Sequence, residues 1–368
     1  MLAVRYLFAF LLVIHGLIHL MGFAKAFDLA HISQLTKDIS RPVGVGWLVA
    51  TSLFVASTIL FFVKNDFWWL FVIVSVLLSQ ILIVLYWQDS KFGTIANVII
   101  LLIAVAAWAQ WRFENQYKKD VVETFHYTNS LAEPVLTLDA ISLLPDPVQR
   151  YIIYSGAINK PVLTNFKIKF EGQIRGDEKS EWMPFSTEQY NFIDPPTRLF
   201  FMKATMKGLP VAGYHSYKNG IAMMDIRLLS LVNVQYQAGK EMNIAETVTW
   251  FNDLCLFAPA GLIDKRIQWE SIDSLTSKAT FTSNEIMISA ILSFNNQGEL
   301  INFISDDRYQ IKSETDRKVV RFSTPVSNYV EHNGRKYPSY GEAIWSLPEG
   351  DLTYGQFNTK EVEYNAKD

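Results

Sequence analysis

Apolar residues dominate the first 111 positions, and beyond them the chain settles into short alternating runs. Tyr6 to Phe23, Val43 to Val63, Phe67 to Trp87 and Thr94 to Ala109 form four stretches without one Asp, Glu, Lys or Arg. A helix needs roughly 20 apolar residues to cross a bilayer core. The pattern therefore predicts four membrane-spanning helices, with the fourth extended to Trp111. Trp47, Trp68, Trp69, Tyr86, Trp87, Trp108 and Trp111 sit near the span ends, as rings at the headgroup level do. Ala24-Lys25-Ala26 has the look of a signal-cleavage site. The apolar run before it is long, however, and three more follow, so the first span is read as an uncleaved helix. The links Lys64-Asn65-Asp66 and Gln88 to Gly93 are short, which makes neighbours antiparallel and predicts a four-helix transmembrane bundle over residues 1–111.

Residues 112–142 read as a linker and 143–368 as a β-rich, water-soluble domain. Asp146 and Pro147 suit a helix start ahead of Val148, Tyr151, Ile152 and Ser155. From Asn165 the period becomes two: Phe166, Ile168 and Phe170 alternate with Lys167, Lys169 and Glu171. Similar runs cover 185–193, 198–206, 211–217, 221–229, 279–288, 290–295, 300–305, 326–331, 335–340, 342–347 and 353–364. Asn219-Gly220 and Asn333-Gly334 are tight hairpin turns, since both turn positions need positive φ. Roughly ten strands joined by tight turns predict an antiparallel meander. One helix, Ala245 to Ile263, interrupts it. The fold class expected is a four-helix transmembrane bundle followed by an α+β domain, in which an antiparallel, strongly curved sheet forms a half-barrel with a capping helix.

Alternation is imperfect in Phe200-Phe201-Met202, Met223-Met224 and Leu228-Leu229-Ser230-Leu231. Such strands are either covered on both faces or line an apolar cavity. The second reading makes Phe201, Met202, Met223 and Met224, with Trp250 and Phe257 of the helix, ligand-binding residues for a lipid or other apolar molecule.

Charge narrows the partners. The first 111 residues hold six of the 33 Lys/Arg and four of the 36 Asp/Glu, leaving 27 and 32 for the rest. A net charge of −5 there disfavours nucleic acid, whose binding rests on phosphate neutralisation. With the N-terminus inside, Arg5, Lys64, Arg112, Lys118 and Lys119 are cytoplasmic while Lys25, Lys37, Arg41 and Lys91 are outside. Five against four does not decide the orientation, but four spans that start inside return the chain to the cytoplasm, which is the side read here for the β-rich domain.

Candidate chemistry is sparse. His15 and His19, four apart, share one helix face and can ligate a metal or haem iron. Alternatively they bond to Ser75, Ser79, Gln80 or Asn97 on neighbouring spans. The other spans offer no His, Cys, Asp or Glu to complete a tetrahedral site. Cys255, the single cysteine, sits among apolar neighbours and reads as an inert buried thiol. His215 reads as a core or surface residue of a strand. No phosphate-binding loop, dinucleotide fingerprint, nucleophile elbow or zinc motif occurs, and no cofactor is implied. Asp253, Asp307, Arg308 and Glu342 remain as candidates for acid–base work, if they share a dry cleft. Otherwise Arg308 pairs with one of these carboxylates and fixes the sheet.

Leu144-Pro145-Asp146-Pro147-Val148-Gln149-Arg150-Tyr151, Trp182-Met183-Pro184-Phe185, Asp194-Pro195-Pro196, Gly239-Lys240-Glu241, Asp307-Arg308-Tyr309, and Trp345 to Gly350 with Tyr354 resemble an uncharacterised bacterial family built on a domain of unknown function. That resemblance implies a single β-rich domain and brings no reaction with it. The domain also occurs without any membrane segment, which favours the cytoplasmic side; with the four apolar runs, the expectation is a multi-pass protein of a bacterial cytoplasmic membrane. Ile14-His15-Gly16-Leu17-Ile18-His19 resembles DoxX-like membrane proteins. Three readings result: a tethered binder of an apolar ligand, an enzyme on a membrane-derived substrate, and a histidine-dependent metal or haem protein.

Overall fold

The computed structural model describes residues 2–128, 135–313 and 315–367. Their contacts divide the chain into two compact units, 1–113 and 114–368.

The first unit is helical: α1 (Leu2–Ile18), α2 (Leu20–Ala26), α3 (Arg41–Phe62), α4 (Trp68–Leu85), α5 (Trp87–Ser90) and the start of α6 (Gly93–Thr128). Four helices are long and apolar enough to cross a membrane: Ala3–Ala26, Arg41–Phe62, Trp68–Leu85 and Gly93–Tyr127. Leu7, Phe10, Ile59, Leu77, Ile81 and Leu102 remain exposed on their outer faces. Such a surface suits hydrocarbon, where helices satisfy every backbone group internally. Inside, Phe8, Leu12, Phe54, Val72, Ile100 and Ala104 form one core. Glycines set the helix approach. A Cβ on Gly22 would lie 2.2 Å from the Trp47 ring, and one on Gly44 would lie 2.3 Å from Ala26 Cβ.

The second unit begins within α6. That helix does not stop where the apolar stretch ends but continues through the first part of the expected linker to Thr128. Positions 129–134 of that linker lie outside the described residues. Two short helices follow, α7 (Leu138–Ile141) and α8 (Asp146–Tyr154). Asp146 stands in the first turn of α8, and Pro145 occupies the capping position.

Six strands come next: β1 (Asn165–Ile174), β2 (Met183–Phe192), β3 (Thr197–Met206), β4 (Leu209–Lys218), β5 (Ile221–Leu228) and β6 (Val232–Ala238). Helix α9 (Lys240–Phe257) and a 3-10 turn (Pro259–Ile263) separate them from β7 (Ile267–Asp273), β8 (Thr276–Ser283), β9 (Ile286–Phe294), β10 (Leu300–Ser305), β11 (Tyr309–Ile311), β12 (Arg317–Val319), β13 (Arg321–His332), β14 (Arg335–Leu347) and β15 (Gly350–Tyr364). Thirteen strands form one antiparallel sheet in the order β6-β5-β4-β3-β2-β1-β15-β14-β13-β10-β9-β8-β7. Strands β11 and β12 make a separate hairpin.

This topology explains the helix. Strands β6 and β7 are the two edges of the sheet, and α9 connects them. A short connection between opposite edges has to cross a face. Helix α9 touches β4, β5 and β6 as well as β9, β10 and β14, which only a strongly curved sheet permits. The sheet stays open, as a half-barrel with α9 across its concave side.

Several boundaries differ from the sequence reading. The stretch 279–288 is two strands, because Asn284 and Glu285 both take positive φ and turn the chain. Residues 335–347 are a single strand, with a register shift between Ala343 and Ile344 where it pairs with β15. The helix ends at Phe257 because Pro259 forces Ala258 out of helical backbone, to φ −131 and ψ 55. Strand β3 is buried at all of its first six residues. Helix α6 covers its convex face, where Tyr117 stacks on Phe201 at 5.4 Å, and reaches the end of β2, where Phe125 packs edge-on against Phe192 at 5.0 Å. Asp120 accepts from the Tyr214 hydroxyl at 2.5 Å and from Lys218 Nζ at 2.7 Å.

Candidate functional site

The concave side of the half-barrel holds a cavity of about 500 Å³, bounded by the sheet, α9 and the β11–β12 hairpin. Its volume falls in the roughly 300–1,000 Å³ range of small-molecule sites. Strand periodicity decides which side chains reach it. Along β3, Arg198, Phe200 and Met202 point inward; along β5, Met224 and Ile226 do. Helix α9 contributes Met242, Ala245, Glu246, Thr249, Asn252, Asp253 and Leu256, whose spacing of three and four marks one face. Phe170, Phe257 and Phe357 form an aromatic corner, with centroids 5.6 Å apart for each pair containing Phe170.

Six of the residues singled out in the sequence line this cavity: Met202, Met224, Phe257, Asp253, Arg308 and Glu342. Four do not. Phe201 and Met223 are the odd-numbered neighbours of inward residues, and Phe201 faces α6 instead. Trp250 lies on the other side of α9, where its ring packs on Phe281 at 5.1 Å and its indole N–H donates to the Phe192 carbonyl at 3.0 Å. Asp307 turns to β9 and accepts from the Ser289 N–H at 2.6 Å and hydroxyl at 3.0 Å.

The most polar part of the wall is a buried cluster of which the sequence reading named Asp253 alone as a candidate and passed over Arg198, Glu246 and Gln189. Arg198 Nε donates to Asp253 Oδ2 at 2.8 Å, its Nη1 to Glu246 Oε2 at 3.1 Å and its Nη2 to Gln189 Oε1 at 3.0 Å. Gln189 Nε2 and Asn191 Nδ2 also donate to Asp253 Oδ2, at 2.6 and 3.3 Å. His215 Nδ1 lies 3.4 Å from Glu246 Oε1. Burial opposes the charge on Glu246, but Arg198, with His215 and Arg308, outweighs it and holds the carboxyl down at about 2. Burial likewise works against the Arg198 charge, and Asp253 and Glu246 reverse that and raise its pKa. Every charge here is therefore paired and hydrogen-bonded, as buried charges must be. The available signals were a lone arginine opening the hydrophobic run Arg198-Leu199-Phe200-Phe201-Met202, and Glu246 seven residues before Asp253, on the same helix face.

Arg308 is held differently. Its Nε donates to Thr249 Oγ1 at 3.2 Å and its Nη1 to the Tyr354 hydroxyl at 3.1 Å. The guanidinium lies over the Phe322 and Trp345 rings, at 4.2 and 4.8 Å from their centroids. Glu342 accepts from the Tyr340 hydroxyl at 2.6 Å, and burial together with that carboxylate pushes Tyr340 up to about 12. Cys255 is a fully buried residue of α9, and burial raises its thiol well above the ordinary range.

In the first unit, His15 Nε2 sits 2.8 Å from Asn97 Oδ1 and His19 Nε2 sits 2.8 Å from Ser79 Oγ. His19 Nδ1 lies 2.7 Å from the His15 carbonyl. These are the neighbouring-span partners the sequence offered. Among the described residues, no three His, Cys, Asp or Glu side chains gather as a metal site would require.

Among the solved structures similar to this chain are two from bacteria. One is a DUF1329 family protein from Desulfovibrio piger, with 11% identity and a TM-score of 0.34, covering 60% of this chain and 91% of that one. The other is a LolA superfamily protein from Nitrosomonas europaea, with 8% identity and a TM-score of 0.30, covering 60% and 94%. No curated protein matches the chain. The model of a family of unknown function, DUF6544, matches residues 134–357, which is more than half the chain and runs from before β1 into β15, and the chain belongs to that family.

Proposed function

We propose that the β-rich unit binds a lipid or another apolar molecule within its concave cavity and that the four apolar helices hold it at a membrane. The carrying observation is the cavity itself: about 500 Å³, walled on one part by Phe170, Phe200, Met202, Met224, Phe257 and Phe357, with the Arg198 cluster, Arg308 and Glu342 as its polar part. Apolar walls with a few placed polar groups suit a mostly hydrophobic ligand. Methionine and phenylalanine side chains adapt to a flexible chain at little cost. Four spans that start inside return the chain to the cytoplasm, which supports a cytoplasmic position for this unit at a bacterial cytoplasmic membrane.

Native mass spectrometry of the full chain in detergent tests this reading. Wild-type protein is expected to carry a bound apolar molecule that a cavity-filling Met202→Trp variant loses. Equal ligand content in both removes the cavity from the account.

A second reading is favoured by one observation: Asp253, Arg308 and Glu342 line the same cavity, where an enzyme acting on a membrane-derived substrate would need them. Against it, Asp253 Oδ2 already receives three donors. Product formation from extracted lipid that disappears in Glu342→Gln, with ligand retention unchanged, would favour the enzyme.

A further inference from the structure

The charges of the cavity wall are met unevenly. Arg198 is clasped by two carboxylates, and Glu342 takes a hydroxyl hydrogen bond. Arg175, Arg308 and Lys312 form no ion pair among the described residues, and of the three Arg308 is the one fixed between α9 and the sheet. Two hydroxyls and two aromatic faces position its guanidinium, yet among the described residues it forms no ion pair with Asp or Glu. Hydroxyls and rings orient a guanidinium without neutralising it, and arginine does not shed its proton. The Arg308 charge reaches Glu246 only at a distance, no carboxylate contacts it, and an anion that met it would satisfy it directly.

The charge of the wall points the same way: Arg175, Arg198, Arg308 and Lys312 stand against Glu246, Asp253 and Glu342, four to three. Opposite these groups, the aromatic corner at Phe170, Phe257 and Phe357 offers an apolar surface for a tail.

We infer that the occupant of this cavity is a single-chain amphiphile with an anionic head, carboxylate or phosphate, and that Arg308 receives the head while the aromatic corner takes the chain. This rests on the binding reading above and specifies its ligand. The planar fork of arginine matches both oxyanions. The cavity volume limits the ligand to one chain.

The test uses the full chain in nanodiscs of phosphatidylcholine and three labelled probes: palmitate, hexadecyl phosphate and hexadecanol. Met202→Trp, with the cavity filled, provides the baseline for partitioning into the lipid. Wild-type protein is expected to bind at least one anionic probe about tenfold more tightly than the alcohol, the effect of one charge-assisted hydrogen-bonded contact. The anion preferred identifies the head. Arg308→Gln is expected to lose that preference while binding hexadecanol as before, which also shows that the variant is folded. Arg308→Lys should keep part of it. Equal affinity for all three probes in wild type, or a preference that survives in Arg308→Gln, overturns the anchor and leaves the cavity reading standing. Failure of wild type to bind any probe above the Met202→Trp baseline overturns the cavity reading itself.

Discussion

Arg198 on β3 and Asp253 on α9 meet at 2.8 Å across the concave face, and both side chains are nearly excluded from solvent. This pair ties the helix that joins the two sheet edges to the middle of the first meander. Removing one member leaves a buried charge uncompensated. Arg198→Met is expected to cost about 3–5 kcal/mol of stability, because Asp253 and Glu246 both lose their cation. Asp253→Asn keeps the shape and part of the hydrogen bonding, so its cost is about 1–2 kcal/mol. Thermal unfolding of the two variants ranks them, and the reverse order would contradict this account of the cluster.

The same cluster makes stability depend on acid. The Glu246 carboxyl is held at about 2 in the folded chain, against an ordinary 4.5. The unfolded chain therefore takes up the proton first as pH falls. The contribution is complete above about 4.5, shrinks between 4.5 and 2, and is gone below 2. Unfolding free energies of wild type and Glu246→Gln, measured against pH, should converge across that window. Parallel curves would show that Glu246 is not linked to folding.

Arg317 fastens the β11–β12 hairpin over the cavity. Its Nη1 donates to Glu241 Oε2 at 3.0 Å at the start of α9, and its Nη2 to Gln237 Oε1 at 3.1 Å on β6. The ion pair is part-exposed, so its removal is worth only about 0.5–1 kcal/mol. Arg317→Ala should raise the opened population of the hairpin about two- to fivefold. Hydrogen exchange over β11 and β12 reads this directly, and unchanged exchange would show that Arg317 does not fasten the hairpin.

Gly22 meets the Trp47 ring so closely that a Cβ would sit 2.2 Å from it. Gly22→Ala should force α2 and α3 apart and cost about 1–3 kcal/mol, the range for overpacking. A melting temperature in detergent equal to wild type would show that Trp47 moves aside freely.

Local pattern carried much of this architecture. Four charge-free runs of membrane length predict the apolar helices, since length and composition alone determine whether a helix can cross hydrocarbon. Asn219-Gly220 and Asn333-Gly334 mark their hairpins because few other residues accept two positive φ angles in succession. The Asn284-Glu285 turn was not legible, since Glu carries no preference for that conformation, and two strands were read as one.

The cavity was legible in kind but only partly in its members. Apolar excess on the strands announced a covered or hollow sheet, and both turned out to hold for β3: Met202 faces the cavity, while Phe201 faces α6. Which of two adjacent residues points inward depends on register, and register is set by pairing with β2 and β4. The sequence by itself determined the division into an apolar helical third and a β-rich remainder, because burial periodicity is a local property. Tertiary structure alone decided that Arg198, Glu246 and Asp253 share one cluster and that Arg308 lacks a carboxylate partner among the described residues. Those relationships join residues up to 60 positions apart, brought together only when α9 crosses the curved sheet, and no short-range pattern encodes them.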